Sequence, residues 1–510
     1  MNVSQRIEAS RARGSGPFGS PRGRLEPIAL SALAALVAAF FLADLSWLPM
    51  RLWDESRLAV NAAEMVLTGQ HLVTTYGFAP DLWNTKPPLA INLMAMSIEL
   101  FGFNTFAVRL PSALAAIGTI IGVIVFVRAI TRSLGWGLVA GLVLASSSGF
   151  YGFHAGQTGD YDALLTLLTT AYGMLLFVAL DGDRRRPGLA VTVGVLVGLA
   201  VLTKGIAGVI PGTGCAVYAL LFARPRLRHG WREFVGMGVV AVLIGGGFYV
   251  LRSYDDPGFA AAVWANELAG RYATVIDNHS GSRFTYLRVL VLNVHGEMLP
   301  AFAVTGAAAV GLAAPWLTAG RARRTASFAL CQAVTLVVVY SSAATKIPWY
   351  IEPALPFLAV LFALALAGAA ARMARSTGRV PPAMERLIAL AVLVIVSQAV
   401  YRRYVEPLQP EAKPRAFEQL FAAANAAQAW PLTVVDAGYH NDAAIEHYAP
   451  MLRFYTLAAG RQGHRARQAV TVAEARDARA IGSCDPTLVT EIAALGTPRW
   501  GGSGCVLVTR

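Results

Sequence analysis

The sequence predicts an α-helical polytopic membrane protein with a small α/β domain at its carboxyl end. Three observations predict this fold class: a length of 510 residues, a hydrophobic fraction of 55% and a charged fraction of only 14%. A globular protein carries about 25% charged residues, and a single apolar core stops growing at roughly 250–300 residues. Because apolar runs continue here past Val400, a bilayer is the solvent that accommodates them.

About eleven apolar runs are long enough to span a membrane, which takes about 20 residues. Their centres lie near residues 38, 119, 143, 172, 195, 213, 242, 307, 333, 361 and 393. The first run follows a polar, basic tail (residues 1–26) and is longer than the apolar region of a signal peptide, so we expect it to be the first spanning helix. Residues 27–404 form the predicted transmembrane domain.

The number of basic residues alternates between successive loops, and this predicts the orientation of the chain. Of the 43 Lys and Arg residues, 39 are Arg. The amino-terminal tail and every second loop after it hold 21 of these Arg residues in 72 positions. The other loops before residue 405 hold nine Lys and Arg residues in about 124. The positive-inside rule therefore places the amino terminus in the cytoplasm and the tail from residue 405 to 510 in the periplasm of a bacterial inner membrane. The net charge of +13 does not indicate nucleic-acid binding, because no soluble basic domain is present.

Two predicted outer loops, residues 48–109 and 253–297, are too long to be simple connections. The first contains two amphipathic stretches, one from Asp54 to a stop at Gly69 and one after Pro88. Their apolar faces are typical of helices that lie in the plane of the membrane interface. Loops of this size cover a site, which a channel would not need.

The tail differs in composition from the rest of the chain. Residues 432–435 and 505–508 are predicted to be strands, and residues 416–429 and 485–495 contain helical patterns. Cys484 and Cys505 would face an oxidising compartment, where a disulfide or two free thiols both remain open.

Ionisable residues collect on the predicted outer side of the membrane. Charged groups near hydrocarbon pair with one another, line a cavity or act in function, so the cluster indicates an aqueous cavity that opens outward. Its members are Asp54, Glu55, Arg57, Lys86, Asp160, Asp162, Lys204, Glu267, Arg271, His279, Lys346 and Glu352.

Asp54 and Arg57 allow two interpretations. Asp54 is either an ordinary helix cap with Arg57 as its ion-pair partner one turn later, or a carboxylate base with Arg57 as a phosphate ligand. Asp162 likewise is either the cap of a spanning helix or, with Asp160, a pair of carboxylates that face the cavity.

Three of the four lysines, Lys86, Lys204 and Lys346, lie at outer ends of membrane elements. Pro87 keeps Lys86 extended and makes it the lead-in to a helix, where an anion is favoured. Snorkelling to the headgroups is the alternative, but Arg would serve that purpose equally well. His279 could be a zinc ligand, but no second His or Cys stands at ligand spacing from it. A divalent metal is therefore possible but is not indicated by a ligand motif.

These motifs resemble the GT-C glycosyltransferases. Within them, the chain is similar to the protein O-mannosyltransferase-like group that includes the bacterial lipid A aminoarabinose and galacturonic acid transferases. The resemblance covers about residues 45–370. The matching motifs are Trp53-Asp54-Glu55-Ser56-Arg57, Lys86-Pro87-Pro88-Leu89, Phe101-Gly102, Arg109-Leu110-Pro111-Ser112, Asp162-Ala163-Leu164-Leu165, Lys204-Gly205, Thr345-Lys346, Trp349-Tyr350 and Pro353.

The resemblance implies transfer of a monosaccharide from a polyprenyl-phosphate donor to a periplasmic lipid or glycan acceptor such as lipid A, with inversion at the anomeric carbon. The chain departs from aminoarabinose transferases at Thr85, where they carry a Glu that helps to hold a metal. The resemblance implies that Asp54 and Asp162 are catalytic and that Arg57 and Lys86 bind the donor phosphate. Because a departing lipid phosphate needs positive charge, we expect Lys204 and Lys346 to be further phosphate ligands. The cavity is expected to include Glu55, Asp160, Arg271, His279 and Tyr350.

A transporter or flippase of a lipid-linked sugar, without chemistry, is the alternative function. Transporters place polar sites near the middle of the bilayer and show repeated halves. This sequence has no visible repeat, and its charges cluster at one face.

Overall fold

The computed structural model of the protein describes residues 25–43, 45–152, 154–182, 185–276, 278–292, 310–378, 380–400, 412–437 and 449–510. These ranges fold into a helical bundle and a small mixed sheet, which confirms the predicted fold class. The boundary expected between them near residue 405 lies outside the described residues.

The bundle and its loops contain helices α1 to α18. They are α1 (Leu25–Leu42), α2 (Asp54–Thr68), α3 (Leu89–Phe101), α4 (Thr105–Thr131), α5 (Leu134–Ala145), α6 (Ser148–Tyr151), α7 (Asp162–Leu180), α8 (Pro187–Lys204), α9 (Ile210–Phe222), α10 (Arg224–His229), α11 (Trp231–Asp255), α12 (Pro257–Val263), α13 (Ala269–Ala273), α14 (Thr285–Leu292), α15 (Ala314–Leu317), α16 (Gly320–Ser342), α17 (Leu355–Thr377) and α18 (Pro382–Val400). A 3₁₀ turn (Pro348–Ala354) leads into α17, and a π turn (Trp264–Leu268) joins α12 to α13.

Within the described ranges, six helices are long and apolar enough to cross a membrane. They are Thr105–Thr131, Asp162–Leu180, Pro187–Gly208, Trp231–Asp255, Gly320–Ser342 and Pro348–Thr377. The predicted runs near residues 38, 143 and 213 form shorter apolar helices, and the run near residue 307 lies outside the described residues. The count of eleven therefore stays a prediction.

Small residues let the helices of the bundle approach closely. A Cβ atom added at Gly141 of α5 would lie 2.5 Å from the side chain of Ile124 in α4. Glycine at this position therefore allows α4 and α5 to pack against each other.

The first long loop contains the two helices that its sequence predicts. Helix α2 ends at Gly69, whose φ of 69° is in the left-handed region that glycine adopts without strain. A hairpin of β1 (Thr75–Tyr76) and β2 (Ala79–Pro80) separates α2 from α3. The apolar faces of both helices, including Leu58 and Met94, are buried against protein.

A buried ion pair fixes the first loop to the bundle. Glu55, at the start of α2, accepts hydrogen bonds from the Nε and a terminal nitrogen of Arg109 in α4 at 2.6 and 2.7 Å. The same carboxylate accepts from the backbone N–H groups of Arg51 and Gly159 at 2.7 and 2.8 Å. Burial raises the pKa of Glu55, but Arg109 and these bonds more than offset it, so the pKa lies below its ordinary value. Glu55 thereby joins the start of α2 to α4 and to the turn that precedes α7.

The described part of the tail forms one five-stranded sheet. Its elements are α19 (Ala412–Ala426), β3 (Leu432–Val435), α20 (Ala449–Arg461), β4 (Ala466–Ala469), β5 (Ala480–Ser483), α21 (Val489–Ala493), β6 (Thr497–Gly502) and β7 (Cys505–Thr509). The strand order is β4-β3-β5-β7-β6. Strands β3, β4 and β5 are parallel, whereas β7 pairs antiparallel with β5 and β6. Both predicted strands are present, but β4, β5 and β6 were not predicted.

A disulfide joins two segments within the tail, and an ion pair joins the tail to the bundle. A disulfide joins Cys484 to Cys505, which resolves the alternative that the sequence left open. Arg453 of α20 donates two hydrogen bonds, of 2.8 and 2.6 Å, to the buried carboxylate of Glu64 in α2. The tail is therefore fixed to the helix that begins at Asp54.

Candidate active site

Asp54 lies at the start of α2, next to a buried His–Asp pair. Its Oδ2 is 3.9 Å from Nδ1 of His154, which also contacts the Oδ2 atom of Asp160. The Asp54 side chain is 41% exposed, whereas His154 and Asp160 are buried. Burial lowers the pKa of His154, but the neighbouring Asp160 raises it above its ordinary value. The partly exposed carboxylate of Asp54 is thus accessible to a ligand and lies beside a buried imidazole whose protonated form Asp160 favours.

Two residues here have strained backbones. Trp53 and His154 have φ values of 66° and 60°, in the left-handed region that side chains other than glycine rarely adopt. The His154 ring stacks on Trp349 with ring centroids 3.7 Å apart. Such strain is found preferentially at functional sites.

The interpretation of Asp54 as a helix cap paired with Arg57 is wrong. Trp53 occupies the cap position, and Asp54 is the first helical residue. Arg57 instead forms two hydrogen bonds to Asp81, of 2.9 and 2.7 Å, and lies over the ring of Tyr76 at 3.6 Å.

A second charged pair lies where α7 begins and α8 ends. Nζ of Lys204 is 2.6 Å from both carboxylate oxygens of Asp162, and both residues are buried. Lys204 also lies 5.0 Å from the ring centroid of Tyr350. Because Lys204 occupies both oxygens of Asp162, Asp162 has less capacity than Asp54 to accept a proton from a ligand.

A third group brings two cations to one carboxylate. Nζ of Lys86 is 3.3 Å from Oε1 of Glu267, and Nε of Arg271 is 3.9 Å from Oε2. Lys86 also lies 5.7 Å from the ring centroid of Tyr161. Burial lowers the pKa of Lys86, but Glu267 raises it above its ordinary value, so the ammonium stays charged. Lys86 and Arg271 therefore converge on one anionic position, which a carboxylate now fills.

Electrostatic contacts connect these groups into one site. Asp54 and Tyr350 both lie close enough to Lys86 to raise its pKa by charge attraction. Lys204 in turn lowers the pKa of Asp160 and of Glu267. The structure thus brings together Asp54, Asp160, Asp162, Lys86, Lys204, Arg271 and Tyr350, which the sequence had singled out from separate parts of the chain.

The other predicted residues have separate contacts. Arg57 and Glu55 are held by Asp81 and Arg109, as described above. The Lys346 ammonium donates to the backbone carbonyls of Ser341 and Ala343, at 3.0 Å for Ser341. The ring of His279 lies beside Trp349 with centroids 6.4 Å apart.

His154 and Asp81 are the residues that sequence reasoning missed. His154 stands six residues before Asp160, and no Asp, Glu, Lys, Arg or second His lies between Arg132 and Asp160. That isolation was a usable signal. Asp81 gave none, since its partner Arg57 lies 24 positions away in sequence.

Two positions in the site carry side chains that could be metal ligands, one at Glu267 and one at Asp54. Thr85 donates a hydrogen bond of 3.2 Å to Glu267, and Lys86 and Arg271 already neutralise that carboxylate, so this position does not fit a divalent cation. Among the described residues, ligand atoms of Asp54, His154 and Asp160 lie within 4.8 Å of one another. Their mixed carboxylate and imidazole set is one that zinc accepts.

Comparison with known proteins shows which family model and which solved structures this chain is similar to. Residues 85–245 match the family model described as dolichyl-phosphate-mannose-protein mannosyltransferase. Two crystal structures of ArnT from Cupriavidus metallidurans, one bound to undecaprenyl phosphate and one in the apo state, superpose with TM-scores of 0.63 and 0.61. They are 19% and 20% identical to this chain, and each comparison covers 94% of this chain and 97% of the ArnT chain. The chain has the GT-C fold.

Curated relatives agree with the resemblance found in the sequence. The undecaprenyl phosphate-α-4-amino-4-deoxy-L-arabinose arabinosyl transferase 2 of Pseudomonas fluorescens is 28% identical over 390 residues, which cover 74% of this chain and 62% of that protein. The corresponding transferase of Shewanella sediminis is 28% identical over 384 residues, with 71% and 65% covered. This GT-C chain therefore spans less than two thirds of the length of these relatives.

Proposed function

We propose that this GT-C protein transfers a monosaccharide from a polyprenyl-phosphate donor to a lipid or glycan acceptor of the cell envelope, such as lipid A. One observation carries the proposal: two cations, Lys86 and Arg271, converge on a single anionic position near the exposed carboxylate of Asp54. A lipid phosphate that leaves during transfer needs positive charge where it departs. The names of the relatives, which include undecaprenyl phosphate, support this donor class.

The donor phosphate would take the position that Glu267 now occupies. Lys86 and Arg271 would bind its oxygens, and Lys204 would add positive charge from across the site. Tyr161 and Tyr350 border these cations and would help to exclude water, which strengthens each interaction with the departing phosphate.

The reaction follows from this placement. The acceptor oxygen attacks the anomeric carbon while the bond from that carbon to the lipid phosphate breaks, and the electron pair leaves with the phosphate. When the acceptor is a hydroxyl, its proton passes to Asp54. When the acceptor is a phosphate, no proton needs to be removed and Asp54 orients the attacking oxygen. Attack from the face opposite the phosphate inverts the anomeric centre.

We further propose that the site faces the periplasm of a bacterial inner membrane. Helix α7 carries Asp162 at one end and Asp181 just beyond the other, about 28 Å apart at 1.5 Å per residue. Arg321 and Arg324 bind Asp181 at 2.8 and 2.5 Å. The Arg-rich end therefore lies about one hydrocarbon thickness from the site, which supports a cytoplasmic position for it.

Reconstitution tests the proposed reaction. We expect proteoliposomes that contain the purified chain and a radiolabelled undecaprenyl-phosphate sugar to transfer label to added lipid A, with release of undecaprenyl phosphate. Label that crosses the bilayer with no new glycosylated product would instead show a transporter and would contradict the proposal.

Lys86 gives a prediction specific to the donor. Replacing Lys86 with Gln removes the ammonium but keeps a polar side chain, and the loss of a hydrogen bond to a charged group costs about 1.5–3 kcal/mol. We expect the KM for the donor to rise about 10- to 100-fold and the KM for the acceptor to change little. Arg288→Gln, which removes an exposed cation of the second long loop, is the control and should leave both constants near those of the parent protein. An unchanged donor KM in Lys86→Gln would contradict the role of Lys86.

A further inference from the structure

A cleft of about 880 Å³ lies where the tail meets the first loop. Leu67, near the end of α2, contributes to one wall, and the tail contributes the rest through α20, β3, β4 and the segment before β5. Small-molecule sites in proteins have volumes of about 300–1,000 Å³, so the cleft has the size of a ligand site.

The lining of this cleft is strongly basic. Four arginines and one histidine line it: Arg461, Arg465, Arg467, Arg479 and His464. Asp477 is the one carboxylate among the described lining residues. Neutral contacts come from residues such as Thr433 and Leu457. Arginine forks match the oxygen geometry of phosphate and carboxylate groups, and the excess of positive charge favours an anion.

Part of this lining is already held in position. Nε of Arg467 donates to Oγ1 of Thr433 at 3.0 Å, and a terminal nitrogen donates to the backbone carbonyl of Glu474 at 2.7 Å. The ring of His464 stacks on Trp430, with centroids 4.5 Å apart and planes within 4°. A guanidinium that is fixed before binding loses less side-chain entropy when a ligand arrives.

The cleft also has a fixed relation to the site. Helix α2 runs from Asp54 to Thr68, so Leu67 lies about 20 Å along its axis from Asp54 at 1.5 Å per residue. Arg453 binds Glu64 of the same helix from α20, which fixes the tail relative to that axis. A molecule that reaches both places must extend over about 20 Å.

We propose that this cleft binds a phosphate-bearing or carboxylate-bearing sugar unit of the acceptor, about 20 Å from the oxygen that receives the new sugar. The inference rests on the proposed transferase function and restricts the class of acceptor. The acceptor is an extended anionic glycan, and the tail selects it by charge. A single neutral sugar, which cannot reach the cleft, is a poor acceptor.

Binding by the full chain in phosphatidylcholine nanodiscs tests the cleft. The probes are trehalose 6-phosphate and its uncharged match trehalose, compared by isothermal titration calorimetry. We expect the phosphate to bind at least tenfold more tightly than trehalose. The double variant Arg465→Glu/Arg479→Glu should lose at least tenfold of that affinity. The matched control Arg476→Glu/Arg499→Glu, which reverses two exposed tail arginines outside the cleft, should change it less than twofold.

Three results would overturn the proposal. One is equal affinity for the two sugars, and another is an equal loss in the cleft and control variants. The third is loss of trehalose 6-phosphate binding when phosphatidylglycerol replaces phosphatidylcholine, which would assign the cleft to lipid headgroups.

A kinetic measurement separates this proposal from the transferase function. In the cleft variant, we expect the KM for an anionic glycan acceptor to rise at least fivefold with kcat unchanged. Transfer by the parent protein without phosphate binding would overturn the cleft alone. Phosphate binding without any transfer would overturn the proposed function and leave the cleft as an anion site.

Discussion

Replacing Asp54 with Asn should reduce sugar transfer to a hydroxyl acceptor by about 10³-fold, because general-base catalysis contributes roughly 10²–10⁴-fold. Asp54 is the most exposed carboxylate of the site, whereas both oxygens of Asp162 are bound by Lys204. The amide keeps the shape of the side chain but does not accept the acceptor's proton. Single-turnover transfer from radiolabelled donor, in parent and variant proteoliposomes, measures the change.

The same variant should fold and bind donor normally. The partly exposed Asp54 side chain is outside the buried ion pair of Glu55 and Arg109, so we expect the Tm in detergent and the Kd for undecaprenyl phosphate to stay within error of the parent values. Glu99→Gln, which neutralises an exposed carboxylate of the same loop, is the control and should transfer sugar normally. Turnover by Asp54→Asn close to that of the parent protein would remove Asp54 from its catalytic role.

Replacing Arg109 with Met should destabilise the protein by about 3–5 kcal/mol, because it leaves Glu55 buried without its cation. Arg109 also donates to the backbone carbonyls of Leu45, Leu48 and Pro49 at 2.8–2.9 Å, and these bonds are lost as well. Chemical denaturation in detergent, followed by tryptophan fluorescence, measures the free energy of unfolding.

The pH dependence of this loss has a defined sign. In the parent protein the pKa of Glu55 is below its ordinary value. The Glu55 carboxylate therefore stabilises the fold at pH values above its pKa in the unfolded chain, and this stabilisation is lost as the pH falls through its pKa in the folded protein. In Arg109→Met the attraction of the guanidinium is lost, and burial raises the Glu55 pKa against the two remaining backbone hydrogen bonds. The variant should therefore gain stability relative to the parent as the pH falls from 8 to 5.

The double variant Glu55→Gln/Arg109→Met keeps this prediction testable if the single variant folds poorly. It removes the uncompensated charge, so we expect it to recover part of the stability and to lose the pH dependence. A single variant as stable as the parent protein at pH 8 would contradict the account of this ion pair.

The membrane fold was readable from the sequence because hydrocarbon imposes a simple rule on helix length and composition. The ends of α2 and α3 were equally clear, since Gly69 and Pro88 are local signals. The tail sheet was predicted only in part. Strands β3 and β7 are mostly apolar runs, whereas β6 contains Pro498, Arg499 and two glycines, and four of its six positions are exposed, so it gives no strand pattern.

Those residues of the candidate site that lie next to the start or end of a helix were predictable from the sequence. Lys86, Asp162 and Lys204 each adjoin such a helix end, and the structure places all three near one another. The partners of those residues were less predictable. Arg57 binds Asp81 and Arg109 binds Glu55 through tertiary contacts, which no local pattern encodes. Sequence alone therefore singled out most of the charged groups that the structure brings together, but not His154 or Asp81 and not which groups neutralise one another.

The position of a bound lipid phosphate tests the central claim most directly. A cryo-electron microscopy structure of the Asp54→Asn protein with undecaprenyl phosphate in a nanodisc would show it. We predict phosphate density within hydrogen-bond distance of Lys86 and Arg271, with the Glu267 carboxylate displaced. Phosphate density at the Arg321–Arg324 end of the bundle, or anywhere out of reach of Lys86, would contradict the account.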